Sequence, residues 1–345
     1  MTQVSTVISY LKEKEIKPVA QNAEEFLQTL KTPTWIHIKG KDSKRCRVIT
    51  TLLHGNEPSG FIGLHQCLLE NIVPETDIHC LVASVPAALK TPSFSNRMLT
   101  GHRDLNRCFL PPFDDEQGQL AKEILVHINK LSPEAVIDIH NTSGDGPSFG
   151  VSTISNASHI ALTAFFSHRL VITNIQLGAL MEIATEDFHV ITVEVGGREE
   201  PSSHETAYQG LCHYMSALNI MDSNIVSEVF ETLRHPVRLE IKKDKLLSYG
   251  VELETGMDVT MVEEIEKYNF GEIPPNKHLG WLGKEGIEAL TVKGPNEQEL
   301  IEHYFKADGN ELRTLIPMKL FMATPDPKLA IGDCLFYLVP MERCC

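Results

Sequence analysis

The segment Thr51-Leu-Leu-His54-Gly-Asn-Glu57-Pro-Ser-Gly60 begins within an apolar run, residues 48–53, that is typical of a buried strand. It places a histidine and a glutamate three residues apart just beyond the end of that strand. A neutral imidazole and a carboxylate at this spacing can bind the same Zn²⁺ ion, and two histidines with one glutamate leave a fourth position for water. His54 and Glu57 are therefore predicted metal ligands, to be completed by a second histidine.

The second histidine is predicted to be His140, which ends another apolar, strand-like run at residues 135–140. Parallel strands deliver functional residues at their carboxyl ends, so His140 and Glu57 can meet although 83 positions separate them. A histidine at a strand end is also commonly a hydrogen-bonded core residue. In a chain with 15 histidines, about one His-x-x-Glu pair is expected by chance. Asp138, two residues before His140, is predicted to point to the other face of the strand and is not assigned as a ligand.

Two further motifs support a functional site at His54, Glu57 and His140. They are Asp104-Leu-Asn106-Arg107-Cys-Phe109 and, further along, Val193-Glu194-Val195-Gly196-Gly197. Together with the segments around His54 and His140, and in this order, they resemble the succinylglutamate desuccinylase/aspartoacylase family of the zinc carboxypeptidase-like superfamily. The resemblance covers about residues 45–215 and implies a zinc-dependent hydrolase with one Zn²⁺ per chain. Its implied substrate is a small N-acyl amino acid, with a linear amide cleaved by a desuccinylase- or deacylase-like reaction.

The resemblance also implies roles for individual residues. Glu194 matches the general acid/base glutamate, which takes a proton from water and returns it to the leaving amine. Asn106 and Arg107 match the pair that holds a substrate carboxylate. An arginine should also polarise the scissile carbonyl, and we expect Arg97 in this role, with Arg103 as the competitor.

Each of these assignments has a structural alternative. Glu194 could be a surface residue at a strand end, and the Asn106-Arg107 pair could be a turn with a solvated arginine. The arginine that does not polarise the carbonyl would be surface charge. Two different functions also stay open: carboxypeptidase-like hydrolysis of short peptides, and a metal-binding module without catalysis.

Substrate selectivity is predicted from the segment before Glu194. In aspartoacylases, a tyrosine and an arginine about ten to fourteen residues before the catalytic glutamate recognise the side-chain carboxylate of N-acetylaspartate. This chain has Glu182 and Glu186 in that region. If these glutamates face the pocket, they would repel a second carboxylate, so we expect N-acetylaspartate to be a poor substrate.

Composition narrows the class of partner. The formal net charge is −15 and the pI is about 5.5, which argues against nucleic acid or an anionic membrane as a partner. The eight cysteines show no Cys-x-x-Cys spacing, so we expect reduced thiols in a cytoplasmic protein. The first residues lack the basic and apolar order of a signal peptide. Assembly into a homo-oligomer is left open.

Alternating strand-like and helix-like segments predict an α/β fold, a zinc carboxypeptidase-like mixed sheet with helices on both faces. We expect a lead-in at residues 1–45 with a helix at 23–30, a hydrolase domain at 46–223, and a smaller β-rich domain at 224–345. The remaining predicted strands of the first 223 residues are 35–38, 78–85 and 188–195. The other predicted helices begin near residue 58 or span 115–131, 158–169 and 202–218. The predicted strands of the last domain are 228–241, 289–292, 315–322 and 335–339.

Overall fold

The structure is a computed structural model that describes residues 8–221, 230–294 and 298–341. It divides into two compact units, one formed by Met1–Asn141 with Ser148–Thr232 and the other by Thr142–Pro147 with Leu233–Cys345. The predicted boundary between residues 223 and 224 lies outside the described residues. Among the residues that are described, no helix is long and apolar enough to cross a membrane.

The first unit is organised around a nine-stranded sheet with the order β1-β2-β4-β3-β5-β8-β6-β7-β9. β3 pairs in parallel with β4 and β5, whereas β2 pairs antiparallel with β4, and β6 antiparallel with β8. The predicted mixed sheet is therefore confirmed. Its strands are β1 (Ser9–Lys12), β2 (Thr34–Ile38), β3 (Asp42–Thr51), β4 (Thr76–Val82), β5 (Val136–Thr142), β6 (Phe149–Ser152), β7 (Arg169–Ile172), β8 (Val190–Gly197) and β9 (Glu231–Arg234).

Helices cover both faces of this sheet. Successive strand residues point to opposite faces, and accordingly Ile49 and Ile137 join one apolar cluster while Val48 and Val136 join another. The helices are α1 (Ala23–Leu30), α2 (Ser59–Leu69), α3 (Val85–Ala88), α4 (Glu116–Leu131), α5 (Ala157–Ala164) and α6 (Pro201–Ser216). The first cluster also contains side chains of α1, α2, α5 and α6, and the second contains those of α4.

The predicted helix at 23–30 is confirmed as α1, where the Asn22 side chain caps the first turn by accepting the N–H of Glu25. The predicted helix at 158–169 is wrong at its carboxyl end. The helix stops at Ala164, and residues Arg169–Ile172 form strand β7, which pairs with β6. Both short strands were absent from the sequence prediction, because pairing within the sheet outweighs the local pattern in runs of four residues.

The second unit is rich in β-structure, which confirms the predicted C-terminal β part. It contains two five-stranded sheets, ordered β13-β18-β19-β10-β15 and β11-β12-β14-β17-β16. The predicted strand at 228–241 begins outside the described residues and is otherwise divided between β9 and β10. The remaining elements are β10 (Val237–Ile241), β11 (Leu247–Gly250), β12 (Val259–Val262), β13 (Glu272–Ile273), β14 (His278–Leu282), β15 (Leu290–Val292), α7 (Ile301–Tyr304), β16 (Phe305–Asp308), β17 (Glu311–Thr314), β18 (Met318–Phe321), α8 (Pro327–Gly332) and β19 (Phe336–Pro340).

Candidate metal centre and active site

A sharp backbone turn after β3 delivers His54. Leu52 has a φ of 53°, a left-handed conformation that leucine rarely adopts and that costs on the order of 1 kcal/mol or more. Two contacts hold it there: Ser84 donates its N–H to the Leu52 carbonyl at 2.7 Å and its hydroxyl to the Leu53 carbonyl at 2.8 Å. Both leucine side chains are buried. β3 therefore ends at Thr51, two residues earlier than predicted.

Gly55 lets a second loop approach this turn. A Cβ at residue 55 would lie 2.6 Å from the Asn96 carbonyl oxygen and 2.7 Å from the Ala88 nitrogen, so only glycine fits. The Gly55 N–H donates to the carbonyl of Arg97 at 2.8 Å. The loop that carries Arg97 is thus attached to the segment that carries His54 and Glu57.

The three predicted ligands meet in one buried cluster. Nδ1 of His54 lies 2.8 Å from Oε1 of Glu57, and Nδ1 of His140 lies 2.7 Å from Oε2 of the same carboxylate. The two Nδ1 atoms are 3.2 Å apart. One ligand atom from each residue lies within 4.8 Å of the others, and His54, Glu57 and His140 are the cluster of this kind among the described residues.

A carboxylate lies behind each imidazole. Nε2 of His54 is 2.9 Å from Oδ1 of Asp104, and Nε2 of His140 is 2.7 Å from Oδ2 of Asp138. The predicted orientation of Asp138 is therefore wrong. Side chains alternate along a strand with a period of two, so residues 138 and 140 share a face of β5. The alternation of side chains along the strand is therefore enough to predict that Asp138 lies beside His140. Asp104 belongs to the Asp104–Phe109 motif, but its contact with His54 could not be predicted from that motif.

This arrangement fits a divalent cation. If each Nε2–H donates to its carboxylate, the neutral imidazole presents the Nδ1 lone pair to the other histidine and to Glu57. Facing lone pairs and a carboxylate in a buried space repel unless a proton or a cation lies between them. A metal-binding histidine characteristically gives its other ring N–H to a carboxylate, which fixes its tautomer and orientation. His54, Glu57 and His140 form a donor set typical of zinc.

Electrostatic coupling inside the cluster is strong. Burial opposes the ionisation of Glu57, yet the adjacent His54 and His140 hold the pKa of that carboxyl well below its usual value. Burial likewise disfavours the charged form of His140, but Asp138 and Glu57 raise its pKa well above the usual value. The carboxylates of Glu57 and Asp138 thus favour positive charge at His140, and a metal ion bound through its Nδ1 would replace that proton.

Glu194 lies on β8, the strand next to β5. Its Oε2 atom is buried and has no hydrogen-bond partner among the described residues. Burial, opposed by the neighbouring His140, raises the pKa of Glu194 to about 7. A carboxyl with this pKa can both accept and donate a proton near neutral pH.

The two candidate arginines have different surroundings. Arg97 donates Nε and Nη2 to Oδ2 of Asp104 at 2.9 and 2.8 Å, and its Nη1 lies 3.3 Å from Oε1 of Glu57. Arg103 instead forms an ion pair with Asp115, the residue that caps α4. Arg97 is therefore the arginine that the fold brings to the cluster, and Arg103 is not.

Asn106 and Arg107 form a short 3-10 turn beside the cluster. Nδ2 of Asn106 lies 3.4 Å from Nε2 of His140, and its Oδ1 accepts the N–H of Leu180 at 2.9 Å. The Asn106 carboxamide thus lies beside the His140 ring and is fixed through its oxygen to the segment before β8. Arg107 is half-buried and donates Nη1 to the carbonyl of Asn106 at 2.9 Å. Among the described residues, this hydrogen bond occupies one of the five N–H donors of the Arg107 guanidinium.

The two glutamates before β8 are not placed as the selectivity argument required. Glu182 accepts the backbone N–H groups of Leu177, Gly178 and Ala179 at 2.7, 3.1 and 3.1 Å. Its carboxylate therefore caps a turn. Glu186 is exposed and accepts a hydrogen bond from the Asn156 amide at 3.3 Å. Glu182 therefore has a local structural role, and the poor hydrolysis of N-acetylaspartate stays a prediction.

Comparisons with known proteins identify the fold. No protein-family model and no curated protein sequence matches the chain. Solved structures do match: a succinylglutamate desuccinylase/aspartoacylase from Rhodobacter sphaeroides (13% identity, 90% of this chain and 88% of that one, TM-score 0.55) and succinylglutamate desuccinylase from Vibrio cholerae (12% identity, 93% and 94%, TM-score 0.55). Murine aminoacylase 3 matches as well, at 15% identity over 87% of this chain and 99% of that one, with a TM-score of 0.50. The chain therefore has the fold of the succinylglutamate desuccinylase/aspartoacylase structures, the family that its motifs resemble.

Proposed function

We propose that this chain is a zinc-dependent hydrolase that cleaves the amide bond of an N-acyl amino acid. One observation carries the proposal: within the fold of the desuccinylase/aspartoacylase structures, His54, Glu57 and His140 converge, and a carboxylate lies behind each histidine. Oriented imidazoles of this kind characterise zinc sites. The names of the similar structures, a succinylglutamate desuccinylase and an aminoacylase among them, support the substrate class.

His54, Glu57 and His140 would hold the zinc ion. When bound, zinc supplies a Lewis acid that lowers the pKa of water to about 7 and so makes hydroxide available at neutral pH. The other groups of the site then act through their own protons and charges.

Glu194 is proposed as the general acid/base. Its buried Oε2 lacks a protein partner among the described residues, so it can accept a proton from water. Because the pKa of Glu194 is raised to about 7, the same carboxyl can return the proton to the departing nitrogen. Proton transfer of this kind contributes about 10²–10⁴-fold to rate.

The arginines are proposed to act on the substrate. Arg97 places a guanidinium beside Glu57, where it would stabilise the negative charge that develops on the scissile carbonyl of a substrate. Arg107, with Asn106 fixing the turn, is proposed to bind the carboxylate of the amino-acid moiety through the planar fork of its guanidinium.

A substrate panel with and without zinc tests the proposal. The zinc-loaded chain would be assayed for release of primary amine from N-succinylglutamate, N-acetylaspartate, uncharged N-acetyl amino acids and short unacylated peptides. We expect hydrolysis of an N-acyl amino acid that disappears with dipicolinate and returns on addition of zinc. Faster cleavage of the peptides would indicate the carboxypeptidase-like alternative. Zinc binding without hydrolysis of any compound would indicate a non-catalytic module.

A further inference from the structure

The side chain of Asn141 lies where three chain segments meet. Its Nδ2 donates to the hydroxyl of Ser59 at 2.7 Å and to the carbonyl of Gly196 at 2.8 Å, and its Oδ1 accepts the N–H of Ser59 at 3.0 Å. The residue is buried. Two donated bonds and one accepted bond fix which end of the amide is nitrogen, because a reversed amide would place its oxygen against the carbonyl of Gly196.

Each of the three segments carries a residue of the proposed active site. Asn141 directly follows His140, Ser59 begins α2 two residues after Glu57, and Gly196 lies two residues after Glu194. The backbone N–H of Asn141 also donates to Oε2 of Glu57 at 3.3 Å. One carboxamide therefore connects β5, the start of α2 and the end of β8.

The partners of Asn141 are themselves held in place. Gly196 has a φ of 111°, a conformation that glycine adopts readily. In this conformation its carbonyl accepts a hydrogen bond from the Asn141 amide. The Ser59 hydroxyl accepts from Asn141 and also lies 2.8 Å from Nδ1 of His204 on α6. The hydrogen-bonded chain thus runs from Asn141 through Ser59 to His204 on a second helix.

We propose that Asn141 is a positioning residue that holds the His140 and Glu57 ligands in register with Glu194. The proposal rests on the function proposed above. Without the carboxamide, the Gly196 carbonyl and the Ser59 N–H lose a buried partner, and the three segments can shift independently. Because groups that orient metal ligands typically account for about 10–100-fold in metal affinity or activity, the predicted effect is measurable.

Zinc affinity provides the first test, and it requires no substrate. Asn141→Leu preserves the approximate volume of the side chain but none of its hydrogen bonds. Competition with a chromogenic chelator should show zinc binding weakened by about 10–100-fold in this variant. Ser59→Ala, which removes only the hydroxyl, should weaken binding less. Asn22→Leu is the matched control: Asn22 caps α1 through its side chain and lies on an exposed helix end, so its loss lowers the melting temperature and leaves zinc affinity unchanged.

A double-mutant cycle with Glu194→Gln provides the second test. Asn141→Leu alone should lower kcat at saturating zinc about tenfold or more. In the Glu194→Gln background it should lower kcat little further, because a residue that acts through Glu194 has nothing left to position. A merely destabilising substitution would give additive losses.

Two results would overturn the positioning role: a folded Asn141→Leu chain with zinc affinity within about twofold of wild type, or additive losses in the cycle. If Asn141→Leu does not fold by circular dichroism, Ser59→Ala decides, and an unchanged zinc affinity in that variant contradicts the proposal. A wild-type chain that binds zinc but hydrolyses no N-acyl amino acid would refute the proposed function. In that case the zinc measurement still decides the role of Asn141 toward the ligands.

Discussion

The proposed active site has two halves that are built differently. His54, Glu57, His140 and Glu194 lie on or just after strands β3, β5 and β8, and Asp138 supports His140 from within the same strand. Arg97, Asn106 and Arg107 lie instead on the loops between α3 and α4. There Asp104 binds both His54 and the guanidinium of Arg97. The sheet holds most of the backbone of the first half, whereas the second half depends on the Gly55–Arg97 backbone hydrogen bond and on side-chain pairing.

This difference separates two kinds of effect. Asp138 contacts one predicted ligand, His140, so its substitution should mainly change zinc binding. Asp104 contacts both His54 and Arg97, so its substitution should change several properties together. The following variants test this distinction.

The largest expected loss of turnover follows Glu194→Gln. The amide preserves shape but cannot take up the proton, so kcat should fall by about 10²-fold or more while zinc content stays at one per chain. Glu182→Gln is the control of the same type, since Glu182 caps a turn. Steady-state kinetics of both variants with metal analysis provide the measurement, and near-normal turnover in Glu194→Gln would remove that residue from the mechanism.

The next effects should distinguish the two orienting carboxylates. Asp138→Asn and Asp104→Asn should each weaken zinc binding by about 10–100-fold. At saturating zinc, Asp138→Asn should recover most of its kcat, whereas Asp104→Asn should not, because it also releases Arg97. Zinc competition assays and kcat at several zinc concentrations would show this. Equal recovery in both variants would mean that the loop half does not depend on Asp104.

The arginines should separate chemistry from binding. Arg97→Ala should mainly lower kcat, since the carbonyl loses a donor used in the transition state, and Arg107→Ala should mainly raise KM. Arg103→Ala is the matched control, because that arginine pairs with Asp115 at the start of α4. Kinetics on one N-acyl amino acid would decide the matter. A kcat loss seen only in Arg103→Ala would mean that Arg103, and not Arg97, polarises the carbonyl.

The smallest effect is expected for the turn before β8. Glu182→Ala removes the acceptor for three backbone N–H groups and should destabilise the fold by about 1 kcal/mol. The ratio of kcat/KM between N-acetylaspartate and an uncharged N-acetyl amino acid should not change. Urea unfolding and competition kinetics measure the two properties. A gain in N-acetylaspartate turnover would show that the Glu182 charge acts on substrate after all.

Prediction from the sequence succeeded where function follows strand ends. The apolar runs before His54 and His140 indicated two strands of one sheet, and both strands pair with each other in parallel. Their ligands therefore meet for a reason visible in the pattern. The strands β6 and β7 could not be predicted from the sequence, because strands of four residues show little periodicity of their own.

The loop half could not be predicted in the same way. The choice between Arg97 and Arg103 depends on which carboxylate each arginine contacts. Arg97 pairs with Asp104 and Arg103 with Asp115, and the sequence alone does not exclude the opposite pairing. Glu182 carries the same charge whether it caps a turn or faces a substrate. Asp138 is different, since the strand period already places it beside His140, and the sequence interpretation misapplied that period.

Zinc titration of the metal-free chain and of His140→Ala tests whether His54, Glu57 and His140 form a zinc site. We expect the wild-type chain to bind one zinc ion per chain and His140→Ala to lose tight binding. His79→Ala should bind zinc like the wild type, because His79 stacks on His37 elsewhere in the sheet. Undiminished stoichiometric zinc binding by His140→Ala would contradict the assignment of His54, Glu57 and His140 as the metal centre.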